Sequence, residues 1–314
     1  MTTDIKFSYI KKQNTHFQFH FMNPKFPNTL TLNHMASCSN IDTLPEDCVS
    51  KILSYTSPKD ACTFSMVSST LQSPANSDTL WRTFLPSDYD HILSRTLNPL
   101  TLQPSSYKHL FYSLSQQPLL LDKGNISFKL DKCSGKKSYI LSARELSITW
   151  SNDPMYWSWR PTTESRFGEV AELRTVSWLE IKGKIRTKIL TPNTSYAVYL
   201  ITKVSHRVYG LDSAPAELSL SVANKVQNSK AYLYNKFEDN RRKMERKEDN
   251  SYEGIQVPSK RDDGWMEIEL GEFLCDDEIE DDEEVNMSVM EVGYRLKGGL
   301  IVEGIEVRPK QSRG

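Results

Sequence analysis

From residue 119 to 309 the sequence returns again and again to short stretches that alternate apolar and polar residues and close on Gly, Pro or Asn. ISFKL (126–130), KSYIL (137–141), LSITW (146–150), SWLEIKGKIRTKIL (177–190), SYAVYLITKV (195–204), ELSLSV (217–222), GWMEIEL (264–270), VNMSVMEVGY (285–294) and LIVEGIEVRP (300–309) all carry this pattern. A period of two sends successive side chains to opposite faces of a strand, so each segment reads as a half-buried β-strand. Many such strands with turn residues between them predict an antiparallel sandwich, and strong helical stretches are nearly absent here. Two charged runs interrupt the strands: KFEDNRRKMERKED at 236–249, expected as part of a mobile insertion over 236–260, and DDEIEDDEE at 276–284, expected as a solvated acidic loop.

The region before residue 87 has a different period. Pro45 suits a first helical position, and Glu46 and Asp47 sit where acids favour the positive helix end. Val49, Ile52 and Leu53 then recur at helical spacing. Ser57-Pro58-Lys59-Asp60 supplies a cap residue, a first-turn proline and an acid three residues after the cap, which predicts a second helix through Ala61, Phe64, Val67 and Ser68. Ser77-Asp78 opens a further element carrying Leu80, Trp81 and Phe84. About 45 residues bury too little surface to be comfortable alone, so this unit is expected to pack on the rest of the chain or to leave an apolar face for a partner.

Composition narrows the function classes. A formal net charge of −1 gives no argument for a nucleic-acid partner. No apolar run approaches the ~18 residues of a membrane span. Five scattered cysteines form no C-x-x-C pair, so neither a zinc site nor a disulfide framework is expected. The phosphate-cradling, nucleophile-elbow, metalloprotease and dinucleotide motifs are missing, and no catalytic residue, cofactor or metal is assigned.

The most unusual stretch is SITWSNDPMYWSW at 147–159, which gathers Trp150, Tyr156, Trp157 and Trp159 around the turn signal Ser-Asn-Asp-Pro. An indole offers a broad, rigid apolar surface that matches the C–H patches of a pyranose, and a nearby carboxylate can accept from its hydroxyls. Taken alone, such clusters in β-proteins serve the core more often than a sugar shelf.

Residues 41–85 resemble an F-box, through Leu44-Pro45-Glu46-Asp47, Ile52-Leu53, Pro58-Lys59-Asp60, Val67-Ser68 and Leu80-Trp81. Ser69 and Leu71 depart from that pattern, which commonly has a basic and an aromatic residue there. Residues 119–309 resemble the phloem protein 2 domain of the Nictaba-type lectins, in its phloem protein 2-B form. The carrying motifs include Ala143–Trp150, Tyr156-Trp157, Val170–Leu173, Trp178–Ile185, Thr194–Leu200, Asp263–Phe273 and Gly304–Pro309.

This resemblance, together with the helical and strand patterns, implies an α+β, multidomain chain: a small helical F-box over 39–86, a helical connection over 87–118 and an all-β lectin-like antiparallel sandwich over 119–310, preceded by an arm over 1–38 that lies outside the resemblance and is expected from its residues to be disordered. It implies a non-catalytic subunit of an SCF (Skp–cullin–F-box) ubiquitin ligase in the cytoplasm or nucleus. Leu44, Pro45, Ile52, Leu53, Val67, Leu80 and Trp81 would bind the Skp-type adaptor and, through it, cullin. Trp150 and Trp157, with an acid that falls on Glu284 (or on Glu283 or Asp282), would bind N-acetylglucosamine-containing glycans on target proteins. Trp159, Trp178 and Trp265 are then expected in the core. Two rival readings are a lectin without a ligase role and an F-box receptor that recognises protein.

Overall fold

The computed structural model describes residues 41–97, 105–235, 255–276 and 282–310. The arm over 1–38 lies outside them, as do most of the 236–260 insertion and the middle of the acidic run. Helices fill the N-terminal region and a curled antiparallel sheet follows, with six α-helices and thirteen strands among the described residues.

The helices are α1 (Glu46–Leu53), α2 (Pro58–Phe64), α3 (Ser69–Asn76), α4 (Asp78–Phe84), α5 (Tyr89–Ser94) and α6 (Tyr107–Gln116). The expected cap at α2 is present in both directions: the Asp60 amide donates to Ser57 Oγ at 3.1 Å, and the Ser57 amide donates to Asp60 Oδ2 at 3.3 Å. The helix stops at Phe64, short of the expected Val67, and a separate α3 follows, capped by Ser68. A small core of Val49, Leu53, Ala61, Leu71, Ala75 and Leu80 closes this unit. Leu71, one of the two F-box departures, is therefore an interior residue.

The helical unit is fused to the sheet through Trp81. Its indole is fully buried, donates to the Ala75 carbonyl at 2.9 Å, and lies 5.3 Å from the ring of Phe111 on α6. Phe111 and Leu114 then continue the same core down to Phe128 and Tyr139 in the sheet. Lys137 Nζ bridges to Asp88 at 2.8 Å across this junction.

The strands are β1 (Leu119–Leu121), β2 (Ile126–Leu130), β3 (Lys137–Ser142), β4 (Ser147–Ile148), β5 (Trp157–Pro161), β6 (Glu169–Leu173) and β7 (Val176–Arg186). They continue as β8 (Thr194–Tyr209), β9 (Ala216–Val222), β10 (Lys225–Ala231), β11 (Ser259–Lys260), β12 (Met266–Cys275) and β13 (Glu284–Pro309). All their pairings are antiparallel.

The two segments expected at 285–294 and 300–309 are one strand, β13, which ties the two halves of the curled sheet together. Its first part lies between β7 and β9, and its last part between β8 and β3. The changeover falls between Val292 and Lys297, where the register against β7 shifts. Gly298 permits it, because a Cβ there would stand 2.4 Å from the Arg174 carbonyl oxygen, and Gly299 adopts φ +84°.

Candidate functional site

β4 ends at Ile148, and the chain then turns through Ser151–Pro154 before β5 begins at Trp157. The turn is closed by its own backbone: the Asp153 amide donates to the Trp150 carbonyl at 3.0 Å, and the Trp157 amide donates to the Asp153 carbonyl at 3.1 Å. The Asp153 carboxylate accepts from the Met155 amide at 2.8 Å, as turn aspartates do.

Trp157 and Trp159 share a face of β5, and both indoles hold this turn from beneath. Trp157 Nε1 donates to the Thr149 carbonyl at 3.1 Å, and Trp159 Nε1 donates to the Ser151 carbonyl at 3.0 Å. The carbonyls so fixed flank Trp150. That residue is left at φ +62° with its ring 46% exposed and packed against Tyr156 at a tilt of 35°, ring centroids 5.1 Å apart. A left-handed backbone at a tryptophan costs roughly 1–2 kcal/mol, so the two indole hydrogen bonds and the turn hold a strained display residue in place.

Trp157 itself is only 2% exposed, too little to offer a stacking face. The shelf expected from Trp150 and Trp157 is thus divided by burial: Trp150 is the displayed ring, with Tyr156 tilted against it, and Trp157 positions the loop. Trp159 is half-buried beneath the Arg144 guanidinium, 3.6 Å from its centroid. Trp265 is buried, as expected. Trp178 is not: it is 44% exposed, because β7 alternates with Leu179 and Ile181 inward and Trp178, Glu180 and Lys182 on the outer face.

Glu180 is the carboxylate beside this aromatic surface. Thr149 donates its amide to the Glu180 carbonyl at 3.0 Å and its hydroxyl to Glu180 Oε2 at 2.9 Å. Lys182 Nζ lies 2.5 Å from Glu180 Oε1. The hydrogen bond from Lys182, then that from Thr149, with a smaller one from the Trp178 side chain, holds the Glu180 carboxyl below the usual carboxylate range. Glu180 is therefore an ionised acceptor at neutral pH, next to exposed Trp150 and Trp178.

At the other end of the chain, the helical unit divides its apolar residues by burial. Leu44, Ile52, Tyr55, Met66 and Val67 are exposed, as is Pro45. Leu53, Leu80 and Trp81 are interior. Of the residues expected to touch an adaptor, Leu44, Pro45, Ile52 and Val67 are placed to do so, whereas Leu53, Leu80 and Trp81 build the core behind them.

Comparison with known proteins agrees with both halves. An F-box-like profile matches residues 41–87, and the phloem protein 2 profile matches residues 136–309. The chain belongs to the phloem protein 2 family. Three curated relatives from Arabidopsis thaliana share both parts. F-box protein PP2-B15 is 48% identical over 280 residues, covering 85% of this chain and 96% of its own length. F-box protein PP2-B13 is 44% identical over 281 residues, covering 85% and 98%. F-box protein VBF is 44% identical over 283 residues, covering 85% and 99%.

Within this phloem protein 2 domain the acid expected at Glu284 stands apart from Trp150. Glu284 pairs with Arg186 in the β7–β13 register and lies 3.3 Å from Lys184 Nζ. Thr149 meets the same strand at Glu180, six residues away, or about 20 Å at strand rise. Asp282 and Glu283 fall at that far end too, bonded to Arg186 and Thr187. Glu180 takes the place beside the exposed rings. The signal for it was the alternation of Trp178-Leu179-Glu180-Ile181-Lys182, which puts Trp178 and Glu180 on one face.

Proposed function

We propose that this chain is the substrate-recognition subunit of an SCF ubiquitin ligase and that its phloem protein 2 domain reads glycans on target proteins. The observation that carries this reading is the pairing of two displayed surfaces on one fused body. Leu44, Pro45, Ile52 and Val67 leave apolar groups open on the F-box for a Skp-type adaptor. Trp150, Tyr156, Trp178 and Glu180 offer stacking faces and an ionised acceptor for a sugar. The chain on this reading does no chemistry. It raises the effective concentration of target beside the charged conjugating enzyme, and the continuous core through Trp81 and Phe111 keeps the two sites at a fixed separation. The same continuity supports the family's F-box naming over a lectin in which the F-box is only a cap, since the exposed apolar residues face away from the core they would otherwise cap.

The test uses the full chain. Adaptor pull-down should fail in Ile52→Asp and Val67→Asp, and glycan binding should fail in Trp150→Ala, each with an unchanged melting temperature. A folded parent that captures neither adaptor nor glycan sinks the proposal.

One observation favours a second reading, in which the target is recognised as protein. Val292, Tyr294 and Leu296 are all exposed where β13 changes register, and Val292 pairs with Trp178. On that reading Tyr294→Ala removes target capture and Trp150→Ala does not.

A further inference from the structure

The turn that follows Trp150 borders a pocket of about 290 Å³ through Ser151, Asn152 and Pro154. This is the lower end of the size range for small-molecule sites and is enough for one sugar residue. Its lining mixes apolar and polar groups: Trp157, Trp159 and Pro154 form an apolar wall, Ser151, Asn152 and Ser158 bring hydroxyl and amide groups, and Arg144 and Arg174 bring cations from separate elements.

The two arginines differ in their partners. Arg144 is spoken for: its guanidinium stacks on Trp159 and donates from Nε to Glu169 Oε2 at 3.0 Å, with a second bond from Nη2. Arg174 is held only by its backbone. Its amide donates to the Tyr156 carbonyl at 2.8 Å, and its carbonyl accepts from the Tyr209 hydroxyl at 3.2 Å. Its guanidinium has no carboxylate within ion-pair distance among the described residues. The neighbouring acids are engaged elsewhere, Glu172 with Arg160 at 3.3 Å and Asp153 with the Met155 amide. Among the described residues, the exposed Arg174 is therefore the cation of this pocket without a carboxylate partner.

We infer that this pocket binds an acidic group, a carboxylate or a sulfate, carried by a sugar residue next to the one that stacks on Trp150 and Tyr156. The inference rests on the glycan reading proposed above and narrows it to acidic saccharides. Arg174 supplies the charge-assisted hydrogen bond, and its planar fork suits both oxyanions. Ser151, Asn152 and Ser158 serve the remaining hydroxyls. The indole bonds from Trp157 and Trp159 fix Thr149 and Ser151, so the stacking face and the pocket are held in one geometry and a single disaccharide spans both.

The test is calorimetric titration of the full chain with oligomers of N-acetylglucosamine: neutral, capped with a uronic acid, capped with a sialic acid, and sulfated. The acidic oligomers should bind about tenfold tighter than the neutral one. Arg174→Ala should erase that preference, Arg174→Lys should recover part of it, and Arg295→Ala, an exposed arginine outside the pocket, should keep it. Preference for the carboxylates alone or for the sulfated oligomer alone supports the inference and identifies the oxyanion. Equal affinity for neutral and acidic oligomers, or a preference that survives Arg174→Ala, overturns it and leaves the glycan reading standing. No binding of any oligomer by the folded parent overturns both.

Discussion

Trp157 donates its indole N–H to the carbonyl oxygen of Thr149 at 3.1 Å, across eight residues of chain. A buried ring thereby sets the backbone that leads into an exposed one, Trp150. Trp157→Phe keeps most of the packing and loses the hydrogen bond, which should cost about 1 kcal/mol and weaken glycan binding. Trp157→Ala should cost about 3–5 kcal/mol, as deletion of a large buried ring does. Trp150→Gly should leave stability unchanged or raise it by up to ~1 kcal/mol, because it relieves the left-handed backbone while removing the stacking face. Chemical denaturation of the three variants beside glycan titration checks the separation of roles.

The F-box residues should sort by burial in the same way. Ile52→Asp and Val67→Asp lie on exposed positions and should change stability by less than ~0.5 kcal/mol while abolishing adaptor pull-down. Leu53→Ala and Leu80→Ala should each cost about 2–5 kcal/mol and reduce pull-down only as far as they unfold the chain. Melting temperatures read beside pull-down yields distinguish the two outcomes.

The changeover in β13 is clamped by a buried ion pair. Lys297 Nζ lies 2.6 Å from Glu291 Oε2 and donates to the Ser177 carbonyl at 2.6 Å, and both residues are buried. Glu291→Gln leaves the ammonium without its counter-charge and should destabilise by about 3–5 kcal/mol. The double variant Glu291→Gln/Lys297→Met should recover much of that loss. Urea unfolding of the single and double variants measures it.

Acid should loosen the sheet through Glu306. Burial works to raise its pKa, but Arg261 at 2.7 Å and Arg308 at 2.9 Å outweigh this and hold it below the ordinary value of 4.5. A carboxyl depressed in the fold contributes stability that is fully present above its unfolded value and is lost as pH falls through the folded one. Stability should therefore decline below about pH 4.5, and Glu306→Gln should flatten that part of the curve. Denaturation midpoints at a series of acid pH values give the slope directly.

Much of the architecture was legible because it is local. β2 coincides with the predicted ISFKL, and β7, β8 and β9 begin within a residue of their predicted starts, since alternation of apolar and polar residues is itself the strand signal. β1, β5, β6, β10 and β11 were missed. β10, KVQNSKA, has almost no apolar face and is a strand because its backbone pairs with β9 residue for residue. β13 was divided in two because Gly298-Gly299 looks like a turn in sequence and acts as a change of register in the fold.

The sequence by itself determined the order of a helical unit and an antiparallel sheet, the cap of α2, the motifs that mark the family, and the shared parity of Trp178 and Glu180 along β7, but not that this face points outward. Those features depend on spacing within a few residues. Only the tertiary structure decided which tryptophan is displayed and which carboxylate stands beside it. Trp157 is buried because β5 folds back under the turn it follows, and Glu284 is remote because the β7–β13 register places it opposite Arg186. Pairing of strands distant in the chain depends on how their apolar faces meet in the core, and a local pattern of residues does not carry that information.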